Sequence, residues 1–195
     1  NNKFPDGFNK PSNFARQVSS NFGVWVGPRG GYNYNFQFGH MIDEAGYGYF
    51  NAANSDIDVG STKYTEHMKE FWNNWINEYK VNYYKLDGWM LKPCGNKEHD
   101  HMVGGYKNVY YFTDYWERYI KVFESMRKTA IENQINNLWI SLTCYINPSP
   151  FQLQWANSIW VQLSADVGYT KVTPEDTNAD TMLNYRDTIY YKFYD

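Results

Sequence analysis

The heptapeptide YYKLDGW, residues 83–89, decides how this chain is read. Its aromatic residues and the turn signal at Gly88 mark a strand over 81–87. A strand's period of two places Tyr83, Lys85 and Asp87 on one face. Charged side chains are rarely buried unless paired, so a lysine and an aspartate on the same strand face ask for a polar cleft at the strand's end.

Working outward, the segment before it, from about Lys63 to Lys80, carries Met68, Phe71, Trp72, Trp75, Ile76 and Tyr79 at three-four spacing, the stripe of an amphipathic helix. After it come a glycine-bearing loop (88–110) and a helix from about Thr113 to Asn133 built on Trp116, Tyr119, Ile120, Phe123 and Ile131. NLWISLTCY (137–145) is a further apolar strand, SPFQLQWAN a short helix, and SIWVQLSADVG (158–168) the next strand. A last helix is expected from about Asp180 to Tyr191 on the capping-type spacing from Thr177 to Asp180. Toward the N-terminus, NFARQVSSNF (13–22) reads as a short helix after Pro11 and Ser12, and Phe22 to Val26 as a buried strand stopped by Gly27-Pro28. A long aromatic and glycine-rich loop then runs to about residue 62.

Strands alternating with helices imply an α/β fold of parallel βαβ units, either a doubly wound sheet or part of a (β/α)8 TIM barrel. The long loops follow strands, whereas the helix-to-strand return at 80–81 is abrupt. Elaboration thus sits at the C-terminal ends of the strands, where barrel enzymes build their sites.

With 18 Lys+Arg against 21 Asp+Glu, and no basic block, a nucleic-acid partner is excluded. No apolar run is long enough for a membrane span. Cys94 and Cys144 are too few for a disulfide framework. Aromatics make up 20% of the residues, including 19 Tyr and 8 Trp, which suits either an aromatic core or half-wet clefts that stack on sugars. The chain opens on Asn1 and is expected to be an internal portion of a longer one.

Asp87 and Asp166 both lie at the C-terminal ends of expected strands and would face one cleft. Two carboxylates across a cleft are the minimum equipment for glycoside hydrolysis, one attacking the anomeric carbon or activating water, the other protonating the departing oxygen. Lys85 would favour the ionised form of Asp87, as a nucleophile needs, and the apolar surroundings of Asp166 in LSADVG would raise its pKa toward that of an acid. The bland alternative for either aspartate is a helix cap or loop residue.

YYKLDGW resembles the nucleophile strand, K-x-D-G, of the melibiase-like clan of retaining glycosidases, which includes α-galactosidases and α-N-acetylgalactosaminidases. SADVG resembles that clan's acid/base strand, SLTCYINPSP its fifth strand, and FPDGF with FGVWVGPRGG the approach and third strand. The resemblance implies that residues 1–195 cover about strands 3–6 of the barrel as a single catalytic-domain portion. It also implies that Asp87 is the nucleophile, Asp166 the acid/base and Lys85 a ligand of sugar hydroxyls, with no cofactor. Two positions that touch the sugar's 2-substituent in the clan depart from its pattern: Tyr145 stands where a Glu is frequent and Gln162 where an Arg is. The reaction class therefore carries over rather than the galactose.

Trp25 and Trp89, at or just beyond strand ends, are expected walls of the sugar site. EHDH (98–101) fits no established zinc spacing and reads as a solvated loop, so no metal is expected. DIDVG (56–60) reads as a turn held by Asp side chains, and GPRGG as a turn.

The functional expectation is a retaining α-glycosidase acting on a terminal α-linked sugar of an oligosaccharide or glycan. Half a barrel leaves two unpaired edges, so the remainder, from the same chain or a second copy, is the expected partner, and the portion alone is expected to be inactive. The glycans such enzymes meet suggest an extracellular or periplasmic location. The alternative is a non-catalytic carbohydrate-binding or adhesion protein on the same scaffold.

Overall fold

In the computed structural model, residues 3–31, 33–89, 92–103, 109–144 and 150–160 are described. The elements are α1 (Asn9–Gln17), β1 (Gly23–Val26), α2 (Asn35–Glu44), β2 (Phe50–Asn51), β3 (Asp56–Ile57), α3 (Thr62–Tyr79), β4 (Tyr83–Trp89), α4 (Val109–Glu132), β5 (Trp139–Cys144) and β6 (Ser158–Trp160). Single 3-10 turns cover Ala52–Asn54 and Pro150–Gln154. The fold class is α/β: a four-stranded sheet of order β1-β4-β5-β6, with every pairing parallel. No helix among the described residues is long and apolar enough to cross a membrane.

Alternation along β4 organises the core. Tyr84 and Leu86 are fully buried, as are Ile140 and Leu142, their register partners on β5. They join one apolar cluster with Met68, Trp72 and Ile76 of α3 and Tyr115, Tyr119, Phe123 and Met126 of α4. Burying each such side chain contributes about 1.5–3 kcal/mol, which fixes which side of the sheet the helices take. Residues of the opposite parity face away, and Tyr83, Trp25, Trp139 and Trp160 among them stay partly exposed.

The three-four stripe forms α3 where the sequence places it. Ser61 caps its start by accepting from the Tyr64 N–H at 3.2 Å, and Lys80, at φ 55°, turns the chain out at its end. On α4, Tyr111, Tyr115, Tyr119 and Phe123 recur every fourth residue and are all buried. Tyr111 donates to the Lys92 carbonyl at 2.8 Å, and Tyr84 on the sheet donates to the Trp72 carbonyl at 3.1 Å. Burial pushes the phenols of Tyr64, Tyr84, Tyr111, Tyr115 and Tyr119 well above their ordinary pKa, so they remain neutral donors.

Three expectations are corrected. First, α1 starts at Asn9 and contains Pro11 and Ser12 rather than following them. A proline in the first turn has no intrahelical N–H bond to lose. Ser12, not Phe14, is the buried residue of α1, because its hydroxyl donates to the Tyr79 carbonyl while Arg16 donates to its oxygen at 2.8 Å. Second, β1 is not a buried strand: it is the edge of the described sheet, and Trp25 is 61% exposed. Third, the segment expected as one long loop up to residue 62 contains α2 and an antiparallel β2–β3 pair. Residues 161–195, with the rest of the 158–168 strand and the helix expected at 180–191, lie outside the described residues.

Two glycines shape the end of β4. Gly88, at φ +69°, sits in a register shift between Asp87 and Trp89, a bulge of the kind that re-aims a strand end. A Cβ on Gly27, just after β1, would lie 2.2 Å from the carbonyl oxygen of Asp87. The turn at 27 is therefore pressed against the backbone of Asp87. Gly27→Ala is expected to destabilise the chain by about 1–3 kcal/mol, the usual cost of overpacking. Gly31→Ala, whose Cβ would meet nothing within 4 Å, should stay within about 1 kcal/mol of wild type. Urea unfolding of the two variants beside wild type checks both.

Candidate functional site

Parallel pairing aligns residues of equal height across the sheet. Trp25, Lys85, Ser141 and Ser158 form one row, and Asp87, Thr143 and Trp160 the next toward the strands' C-terminal ends. All belong to the parity that faces away from the helix-packed core. The charges on β4 thus meet side chains from three other strands.

Asp87 is largely buried, with 9% exposure, and its Oδ2 accepts a hydrogen bond from the indole Nε1 of Trp25 at 2.7 Å. That bond fixes the rotation of the carboxylate. The ammonium of Lys85 lies over two indole rings at once, 4.1 Å from the Trp25 centroid and 4.0 Å from that of Trp160. Each ring face attracts the cation, so an otherwise mobile side chain is held between β1 and β6. Trp25 and Trp160 are both more than half exposed and offer flat apolar surface beside a carboxylate and an ammonium.

A cavity of about 990 Å³ opens next to this group. Trp25, Asp87 and Gly88 line one end, and apolar side chains of α2 and α3, among them Phe38, Met68 and Trp72, line its length. Trp25 and Asp87 bring an aromatic face and a carboxylate to this lining, to which Arg29 and His67 also contribute.

Of the residues singled out in the sequence, Asp87, Lys85 and Trp25 come together. Trp89 ends β4, where only its backbone is described. Asp166, Tyr145 and Gln162 lie outside the described residues. Two further residues join the site. Trp160 completes the cage around Lys85, and Thr143, the register partner of Asp87, is 2% exposed with an Oγ1 that finds no hydrogen-bond partner among the described residues. Strand alternation carried from β4 to β5 and β6 is the signal that points to both.

A second polar cluster lies in the loop after β4. The expectation of a solvated loop at 98–101 is corrected: the side chains of His99 and His101 are 6% and 0% exposed. Both rings reach Asp58 Oδ2, His99 Nδ1 and His101 Nε2 each at 2.6 Å, and Cys94 Sγ lies 3.4 Å from His99 Nδ1. Burial is the largest single influence on His101 and lowers its pKa, but the hydrogen bonds to Asp58, Cys94 and the Met102 carbonyl, with the charge of Asp58, together outweigh it and push the pKa up to about 10. Asp58 is pulled the other way: burial raises its carboxyl, yet His101, His99 and the Gly60 N–H together hold it below its ordinary value. Of DIDVG, expected as a turn throughout, the first two residues form β3 and only the second half is a turn held by an Asp side chain, with Asp58 Oδ1 accepting from the Gly60 N–H at 3.0 Å. Beside it, Asp56 is fully buried and paired with Arg29 and with Lys92, the latter at 2.9 Å.

Because a hydroxyl without a partner loses its hydration on burial and gains nothing in return, Thr143→Val is expected to leave stability unchanged or raise it by about 1 kcal/mol. A fall of more than about 1 kcal/mol in urea unfolding would mean that Oγ1 is used in holding the fold. Compared with protein-family models, curated proteins and solved structures, the chain matches none of them.

Proposed function

We propose that this chain is part of the (β/α)8 barrel of a retaining α-glycosidase that removes a terminal α-linked sugar from an oligosaccharide or glycan, with Asp87 as nucleophile and Asp166 as acid/base. One observation carries the reading. At the C-terminal end of a parallel strand, on the face turned from the helices, a carboxylate oriented by an indole N–H stands beside a lysine caged by two exposed tryptophans.

The strand order supports the barrel half of the proposal. A doubly wound sheet reverses its order at the point where ligands bind, whereas β1-β4-β5-β6 runs in sequence order throughout. The face opposite the helices carries Lys85, Asp87 and several aromatics, the inventory of a lumen with a site at its mouth rather than of a second helix-covered surface. The apolar cavity along α2 and α3, open beside β1, has the lining that a further βα unit, from the same chain or a second copy, would cover.

In this mechanism Asp87 attacks the anomeric carbon, the exocyclic C–O bond breaks, and the departing oxygen takes a proton from Asp166. Water then adds to the glycosyl ester while Asp166 recovers its proton, freeing the sugar and Asp87. The Trp25 bond would hold the carboxylate in its attacking rotamer, and Lys85 would donate to sugar hydroxyls. The exposed indoles also favour the second reading, a carbohydrate-binding protein without turnover, since flat aromatic faces suffice for binding.

Asp87→Asn separates the two. Its amide oxygen still accepts from Trp25, so the fold should stand. Hydrolysis of an aryl α-glycoside by the enzyme containing this chain should fall at least about 10³-fold, with sugar binding within a few-fold of wild type. Hydrolysis that survives the substitution sinks Asp87 as nucleophile. Wild-type protein that binds sugar but never turns the aryl glycoside over selects the binding reading.

A further inference from the structure

We propose that Asp58, Cys94, His99 and His101 form a binding site for one transition-metal ion of zinc type, which pins the loop after β4 to the turn between β3 and α3. The site is separate from the tryptophan-caged group and does not depend on the glycosidase reading.

The donor set is one thiol, two imidazoles and one carboxylate, the borderline nitrogen, sulfur and oxygen ligands that suit zinc rather than calcium or magnesium. One ligand atom from each residue lies within 4.8 Å of all the others. Tetrahedral coordination at about 2.0–2.3 Å requires ligand atoms roughly 3.3–3.8 Å apart, so adjustments of about an ångström or less turn this cluster into a coordination shell. Four protein donors leave no open position, which marks a structural rather than a catalytic metal.

Burial distinguishes the group from a surface gathering of polar residues. The side chains of Asp58 and His101 are 1% and 0% exposed, and Cys94 is 2% exposed as a residue. The atoms that would not ligate are already occupied. His101 Nδ1–H donates to the Met102 carbonyl at 2.8 Å, which leaves the lone pair of the neutral ring on Nε2, facing the cluster. Asp58 Oδ1 is taken by the Gly60 N–H, leaving Oδ2 for the shared position, and His99 Nε2 meets the Asn96 amide at 2.9 Å. The His99 ring stacks on Tyr49 with centroids 4.7 Å apart, and the His101 ring packs edge-on against Tyr111. For His101 these outer contacts fix the ring and free Nε2, as metal-binding histidines require; at His99, whose Nε2 accepts from the Asn96 amide, ligation through Nδ1 moves the ring proton to Nε2 and turns that amide to accept it.

The same loop is already fastened to α3 by other means, which tells what the ion would secure. Asp100 accepts from the Thr62 N–H at 3.0 Å and the Lys63 N–H at 2.7 Å, a carboxylate at the positive end of the helix. Metal binding adds a third tie between segments far apart in sequence. It displaces the thiol proton of Cys94, and any proton shared by the imidazoles and Asp58, into solvent.

The test uses the full chain. Protein stripped with a chelator and desalted is given one equivalent of Zn²⁺, desalted again and assayed for metal, and its melting temperature is read with and without the ion. Co²⁺ is then substituted and its absorption recorded. The expected results are one zinc retained per chain, a melting temperature raised by several degrees, and a cobalt spectrum with a sulfur-to-metal charge-transfer band and four-coordinate d–d bands. Cys94→Ser should abolish the charge-transfer band and weaken zinc binding at least about 10-fold, while Cys144→Ser should keep both. Should Cys94→Ser fail to fold, the wild-type spectrum against that of Cys144→Ser still decides. Folded wild-type chain that retains no zinc and shows no thiolate band overturns the proposal and leaves a proton-filled His–Asp network. A band lost in Cys144→Ser rather than Cys94→Ser overturns it equally.

Discussion

Everything described here hangs on the two-sidedness of β4. Tyr84 and Leu86 are driven against α3 and α4, and the backbone pleat then leaves Lys85 and Asp87 no choice but the other side. A slip of one residue in the pairing with β1 or β5 would bury both charges among Trp72, Tyr119 and Phe123 and expose the apolar pair. The desolvation of two charges makes that slip prohibitive, so the polar residues help to enforce the register that positions them.

Regular periodicity made much of the fold legible. The helix from 63 to 80, the strand around 83–87 and the strand at 137–145 fell where their apolar spacing put them, since packing and pattern agree there. The segment from 27 to 62 did not, for a physical reason. Gly39 makes α2 read as loop, but it sits there because a Cβ would meet the Ile57 N at 2.6 Å, so helix and hairpin pack backbone to backbone. Close packing requires the residue that weakens the local signal. The start of α1 was hidden similarly by Pro11, which stops a helix in its interior but not in its first turn.

At the site, the chemistry-bearing residues of β4 could be read from one strand, whereas Trp160 and Thr143 needed the register between strands. The cluster around Asp58 was least legible of all. Its thiol and histidines lie within eight residues of one loop, but the carboxylate of Asp58 arrives from about forty residues earlier, and no short spacing reveals a group completed by a loop folding back on a turn. The aromatic excess is divided between the core and the surface. The tyrosine ladder of α4 fills the core, while Trp25 and Trp160 stay at the surface around a cation.

The lysine cage also ties the outer strands of the described sheet to each other. β1 and β6 are separated by two intervening strands, and three steps of about 4.8 Å would set them roughly 14 Å apart in a flat sheet. Yet indoles from both reach the same nitrogen, at 4.1 and 4.0 Å. The cation therefore draws side chains of the two outer strands together over that surface, and three of the four strands of the described sheet meet at one nitrogen.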